Sequence, residues 1–314
     1  MHLFHSLLSF QDRLKDCSFA PLTLFVAVLF LGDFFFGPAN GFAEEKAEES
    51  LHNLKKITLQ YYSGAEPVGE AAFQQLKEMG VKVIISVDGI RPNVELARKY
   101  GIRYVHIPVQ YSGIDRGAEL SLVRAAKEID EPVYVHCHHG KHRGPAAMAI
   151  LCQAAEVFDG KQAEQFLQEA GTSPQYKGLW KSVREFQPPA TSEELPPLEE
   201  TAEVDSVASH MAEADRRFDH LTAFLEATED MTPEIEDQLN GETLLLWELI
   251  RESRRTVALD KSSDAELVTA FEESDLRLKS IKYELKTTHS RATWLEKLNE
   301  IKRDCKACHA QFRN

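Results

Sequence analysis

The sequence predicts two folded parts of different class. One is an α/β domain, a mostly parallel sheet flanked by helices, over residues 54–186; the other is an all-α four-helix bundle over residues 201–314. Three observations predict this. Short β-branched runs alternate with helical segments in the first part, apolar residues recur at steps of three and four in the second, and a Pro- and Glu-rich stretch separates them.

The chain begins with Arg13 and Lys15, an apolar run "APLTLFVAVLFLGDFFFG", then "ANGFA" ahead of the acidic "EEKAEES". This order reads as a signal peptide over residues 1–43, cleaved near Ala43, and implies export to the periplasm or its equivalent. An uncleaved membrane anchor is the alternative, although Asp33 keeps the apolar span short for a bilayer. Cleavage removes Cys17 and leaves four of the five cysteines.

A length of 314 residues and an apolar fraction of 43% allow each part its own core. A net charge of −14 excludes nucleic acid as a partner, because a phosphate backbone needs a basic face.

In the first part "VKVIISV", "RYVHIPV" and "PVYVHC" are strand-like, and "EAAFQQLKEM", "PNVELARKY", "GAELSLVRAAKEI" and "GPAAMAILCQAAEVF" are helical between and after them. Residues 187–200, "QPPATSEELPPLEE", are too poor in apolar residues to pack and read as an extended, flexible linker, so the two parts are expected to move independently. Beyond it, Val204, Val207, Met211, Ala214, Phe218, Leu221 and Leu225 form one helical stripe. Leu267, Phe271, Ser274, Leu278, Ile281 and Leu285 form another. Thr232-Pro233 opens a helix between them as N-cap and N1, and "SDAE", Ser263 to Glu266, reads as a capping box for the next. Four amphipathic helices with short connections make an antiparallel bundle.

The stretch "VYVHCHHGKHRGP", residues 133–145, concentrates positive character around one thiol. Cys137 ends a β-run and Arg143 starts a helix. A strand-to-helix turn of this kind converges backbone N–H groups and the positive helix N-terminus on one point, a cradle for a tetrahedral dianion. A cysteine there is expected to ionise easily, helped by the dipole, Arg143, Lys141 and any protonated histidine. Arg143 could grip two phosphoryl oxygens in a bidentate fork. His138, His139, Gly140, Lys141, His142 and Gly144 complete the substrate-binding loop. Two other readings stay open: a buried cysteine beside a basic turn, and a metal site made from His136, His138, His139 and His142. Cys152 falls on the apolar face of the following helix as a core residue, with an oxidised pairing to Cys137 as the alternative.

"HCHHGKHRG" resembles the His-Cys-x5-Arg signature of the protein tyrosine and dual-specificity phosphatases, and the resemblance extends over residues 54–186. It implies Cys137 as the nucleophile forming a phosphocysteine, Arg143 as the phosphate clamp, His136 as a support for the thiolate, and Gly140 as the tight turn. Two departures stand out. Gly144 occupies the place where that family has Ser or Thr, and Gln110 and Tyr111 occupy the usual place of its general-acid aspartate. Asp115 is then the first candidate acid, with His139 or His142 as alternatives; Asp88 reads as a turn former.

At the other end, "CKACHAQFRN" holds Cys305, Cys308 and His309 as CxxCH, the attachment signal for one covalent haem c. Trp294, Leu298, Ile301, Cys305, Cys308 and Phe312 step by three and four, which places both thiols on the core stripe. From about Leu198 to Asn314 the chain resembles cytochrome c′ and its low-spin relatives, with Arg313 four residues beyond the histidine. That resemblance implies His309 as the proximal iron ligand. Met211, in the distal register, is either the second ligand or a core residue. A CxxC disulfide and a partial zinc site are the alternatives for this motif.

The combined expectation is an exported cysteine-dependent phosphatase for a phosphorylated small molecule or protein, phosphotyrosine or another anionic phosphoester, joined to a haem bundle. A redox partner for the haem and a homodimer through the bundle are the expected associations. The alternative is an electron-transfer or gas-sensing cytochrome whose first domain only binds phosphate or performs thiol redox chemistry.

Overall fold

The computed structural model describes residues 51–260 and 263–312; the expected signal peptide and Arg313 lie outside the described residues. Five strands, β1 Lys55–Lys56, β2 Tyr61–Ala65, β3 Val83–Ser86, β4 Arg103–His106 and β5 Val133–Cys137, form one sheet in the order β1-β2-β5-β3-β4. The four longer strands run parallel, and only the short β1 pairs antiparallel, with β2. The sheet is therefore mixed, with an antiparallel edge on a parallel centre.

Helices α1 Gly69–Glu78, α2 Val94–Lys99, α3 Arg116–Glu128, α4 Arg143–Ala154, α5 Gly160–Glu169 and α6 Lys177–Glu185 flank it. Side chains alternate across a strand. Val133, Val135 and Cys137 therefore join the core under α3, α4 and α6 with Leu122, Met148 and Leu179. Tyr134 joins the opposite core with Phe73 and Leu76. Strand β2 is not among the sequence-expected elements because "YYSGA" offers Ser and Gly where β-branched residues would signal a strand. Gly64 is required there: a Cβ would collide with the Tyr134 hydroxyl, which donates to the Ala65 carbonyl at 2.6 Å.

The segment expected to be a flexible, unpacked linker is strapped to the α/β part. The Glu199 carbonyl accepts from His106 N–H at 2.8 Å, and the Leu195 carbonyl accepts from Arg124 at 2.9 Å. Glu193 accepts from Arg116 at 2.7 and 3.0 Å, and Leu195 and Leu198 pack against the core. Prolines stiffen the segment and its two leucines supply the apolar contact, which is enough to hold an extended strap in place.

Four helices follow: α7 Val207–Glu226, α8 Pro233–Leu259, α9 Ala265–Leu285 and α10 Arg291–Phe312. Each packs on the next, and α10 returns to α7. Leu221, Leu225, Leu239, Ile281, Trp294 and Leu298 are central to their core. Thr232 caps α8 as the sequence indicates, accepting from Ile235 N–H with Pro233 in the first turn. The cap of α9 is shifted by one residue: Asp264, not Ser263, accepts from Glu266 N–H. Val204 precedes α7 rather than belonging to it.

At 27 residues, α8 is about 40 Å long, and it serves two cores. Leu246 packs with α7, α9 and α10, and Leu244 packs with the α/β core. The two parts are not independent.

Candidate active site and apolar cavity

Parallel strands deliver their chemistry at their C-terminal ends. Cys137 ends β5, Glu66 follows β2 and Asp88 lies just past β3. The turn from Cys137 to Arg143 depends on Gly140, whose φ is +65° and whose missing Cβ leaves room for the Gly64–Ala65 backbone. The carbonyls of the turn are held by outside donors. Asn53 donates to His139 O at 2.8 Å, Thr172 to Lys141 O at 2.8 Å, and Glu66 N–H to His138 O at 3.3 Å. Gly144 lies beside the thiol: a Cβ there would sit 3.5 Å from Cys137 Sγ. The sulfur thus stands over the first turn of α4, where helix N–H groups lack intrahelical partners.

Arg143 is almost fully buried. Its guanidinium stacks 4.1 Å from the Tyr111 ring centre, and Nη2 donates to Tyr111 Oη at 3.3 Å, Asp88 at 3.4 Å and Glu252 Oε1 at 3.1 Å. Its Nε, equally buried, has no acceptor among the described residues. Burial works against the charge, but Glu252, Tyr111 and Asp88 hold Arg143 firmly protonated. Burial would also raise the Asp88 carboxyl, yet Arg143 and Arg255 outweigh it and hold it far below the usual carboxylate range. Asp88 is thus a permanent anion that positions two arginines, rather than a turn former.

Three of the loop histidines, His136, His139 and His142, are held below their ordinary range. His136 points to the opposite face of β5, its ring stacked with Tyr134 and edge-on to Tyr104. Burial lowers it to about 4, although Glu66 and Asp88 pull the other way. Burial and Arg251 lower His139 to about 4. His142 is lowered to about 4 by burial, Arg251 and Lys141; its ring packs on Tyr176. His138 bonds Glu66 at 3.1 Å. The rings of His138 and His139 lie against each other, 4.3 Å between centres, but among the described residues the four histidines do not gather as a metal-ligand group. Glu66, Asp88 and His138 do come together, but the Arg255 guanidinium fills their cation position, 2.9 Å from Asp88 and 3.5 Å from Glu66.

Asp115, the expected acid, does other work. It is exposed and caps α3 by accepting from Ala118 N–H at 2.9 Å. Cys152 is buried, with its thiol 3.5 Å from Met148 Sδ and pushed up by burial to about 12, as suits a core residue.

Four site residues come from α8 and went unrecognised in the sequence: Glu248, Arg251, Glu252 and Arg255. Tyr176 donates to Glu248 at 2.6 Å, and Arg251 bonds His139. Their spacing, i, i+3, i+4, i+7, marks one helix face, which was the available signal.

Away from this site, α7 to α10 line a largely apolar cavity of about 720 Å³ that opens to the surface, with Met211, Ile250, Cys305, Cys308, His309 and Phe312 among its walls. Cys305 and Cys308 carry free thiols; Cys305 is exposed and Cys308 half-buried, so the core stripe of α10 ends at Ile301 and the thiols lie on the cavity wall rather than in the core. A cavity of this size lies within the usual range for cofactor sites, roughly 300–1,000 Å³.

No family model matches the chain, and no curated protein matches it. Solved structures similar to the α/β part include TpbA of P. aeruginosa, 22% identical with a TM-score of 0.38 over 43% of this chain and 86% of that one. A putative phosphatase (DUF442) from Shewanella putrefaciens CN-32 is 20% identical with a TM-score of 0.35, over 43% of this chain and 90% of that one. The core catalytic domain of the PP-IP phosphatase SIW14 from S. cerevisiae is 13% identical with a TM-score of 0.38, over 43% and 86%. Such distant likeness carries nothing about the reaction, which rests on the site itself.

Proposed function

We propose that the chain is an exported cysteine-dependent phosphatase for phosphate monoesters that also carries one c-type haem. The observation that supports the first half most directly is the fork of Arg143. Its guanidinium is buried and firmly charged, one nitrogen already holds a carboxylate, and Nε is left without an acceptor. A phosphoryl group satisfies both donors of such a fork. In this reading Cys137 Sγ attacks phosphorus in line, the ester oxygen leaves with a proton, and water then cleaves the phosphocysteine to release inorganic phosphate and regenerate the thiolate. With Gly144 in place of a hydroxyl beside the sulfur, the second step is the slow one.

For the second half, α7 to α10 read as a four-helix bundle of the cytochrome c′ kind. Their cavity supports the assignment, because the CxxCH residues and Met211 line the same apolar space. Cys305 and Cys308 would carry the thioether links, His309 would be the proximal ligand, and Met211 stands available from α7. When bound, the group supplies one-electron chemistry and an iron able to bind small ligands.

The engagement of exposed Asp115 as the cap of α3 favours a second reading, in which the loop binds phosphate without turnover. Aryl phosphate hydrolysis by the purified chain, abolished in Cys137→Ser, supports the enzyme. Phosphate affinity retained in both forms with turnover in neither supports the binder. An optical spectrum with a covalent haem signature, lost in Cys305→Ala/Cys308→Ala, tests the bundle.

A further inference from the structure

Glu248, Arg251, Glu252 and Arg255 are the side chains that α8 presents to the cradle, and all four are engaged there. Glu252 accepts from Arg143 at 3.1 Å, and Arg255 pairs with Asp88 at 2.9 Å and with Glu252 at 3.1 Å. Arg251 bonds His139 and pairs with Glu248 at 3.1 Å, and Glu248 accepts from Tyr176. Glu248, Glu252 and Arg255 are all buried. Buried charges persist only when each is paired. The alternating acid and base along this face meets that requirement against the complementary charges of the loop.

Cys137 is 2% exposed. A cleft of about 270 Å³ opens between Tyr111 and α7, and its lining includes Glu248 and Glu252 but neither Cys137 nor Arg143. This cleft thus reaches the α8 carboxylates.

We propose that α8 is a substrate-mimicking plug: the Glu252 carboxylate sits in the phosphoryl seat on Arg143, so the cradle is closed in this arrangement and opens when α8 withdraws. The proposal rests on the reading of Arg143 as an oxyanion fork. Glu252 satisfies one fork nitrogen and leaves Nε free, so a phosphoryl dianion that engages both has the advantage in charge and in hydrogen bonds. The plug is therefore displaceable rather than permanent.

The test uses the full chain with inorganic phosphate and tungstate as probes. Glu252→Gln keeps the shape and removes the charge, and should tighten binding of both anions about tenfold or more, with a matching fall in KM for aryl phosphate. Unchanged or weaker binding overturns the plug, as does failure of either form to bind. Should the variant not fold, amide exchange in the unmodified chain decides. Saturating tungstate should speed exchange in residues 248–255, because the helix is expelled, and protection or no change overturns the proposal. The phosphatase reading fails separately: tighter binding in Glu252→Gln with no turnover in any form keeps the plug and removes the enzyme. Turnover unaffected by Glu252→Gln keeps the enzyme and removes the plug.

Discussion

Ile250 and Glu252 stand two residues apart on α8 and serve opposite sides of it: Ile250 lines the apolar cavity, and Glu252 accepts from Arg143 at 3.1 Å. At about 100° per residue, positions two apart differ by about 200°. One stiff helix is thus a wall of the cavity and the cover of the thiol cradle, which gives the two sites a shared mechanical part.

Arg255 ties that cover down. Arg255→Ala leaves Asp88 and Glu252 buried with less compensation, and truncating one partner of a buried ion pair costs about 3–5 kcal/mol. An unfolding free energy lowered by that much, read from a urea titration, is expected, with partial recovery in Arg255→Lys.

Gly140→Ala forces a side chain into the Gly64–Ala65 backbone at a φ of +65°. The expected loss is about 2 kcal/mol or more of stability, with phosphate binding abolished. Calorimetric titration and a thermal melt read both effects.

Asp115→Asn keeps an α3 cap and should leave the kcat for aryl and alkyl phosphates within about twofold of the parent, whereas a general acid contributes about 10²–10⁴-fold. Asp115→Ala should cost about 1 kcal/mol of stability through the lost cap. A large kcat loss confined to poor leaving groups would restore Asp115 as the acid.

Gly144→Ser places a hydroxyl beside Cys137 Sγ, since the Cβ position is 3.5 Å from the sulfur, although at 3.1 Å from the Cys137 backbone nitrogen the turn must yield by a few tenths of an ångström. Rapid-mixing kinetics with an aryl phosphate should show a burst in the parent chain, from slow phosphocysteine hydrolysis. A smaller burst with a faster steady state is expected in the variant.

The histidines set an acid limb of stability. His136 and His142 are each lowered to about 4 in the folded chain, both by burial first, against about 6.5 when unfolded; His139 is exposed and adds little. Between these values the unfolded state binds more protons, so their contribution is complete above about pH 6.5 and declines as pH falls toward 4. The depressed Asp88 extends the loss below pH 4. Glu248, raised by burial, acts in the opposite sense, since its contribution fades as pH rises through its folded value. Melting temperature should fall from pH 7 to pH 4.5, and a flat profile would contradict the burial of these rings.

Much of the architecture was legible because it is local or periodic. The strands β3, β4 and β5, the helical stripes of α7, α9 and α10 and the Thr232-Pro233 start follow from patterns within a few residues of one another; the tight turn at Gly140 comes from the resemblance of the loop to a phosphatase signature. Strand β2 escaped notice because its stability comes from the strand beside it and not from its own side chains. The packing of residues 187–200 escaped because two leucines and a few backbone carbonyls need a partner surface before they register as contacts.

The chain order by itself determined that Cys137 and Arg143 stand six residues apart around one strand-to-helix turn and that Cys305, Cys308 and His309 share one helix, since each depends on residues a fixed short distance apart. Only the tertiary structure decided that His136 turns to the far face of β5, that Asp115 caps a helix, and that a charged face of α8 lies buried on Arg143 rather than in water. Protonation and ion pairing depend on what is excluded from solvent, and that is fixed by elements more than a hundred residues apart in the chain meeting in space.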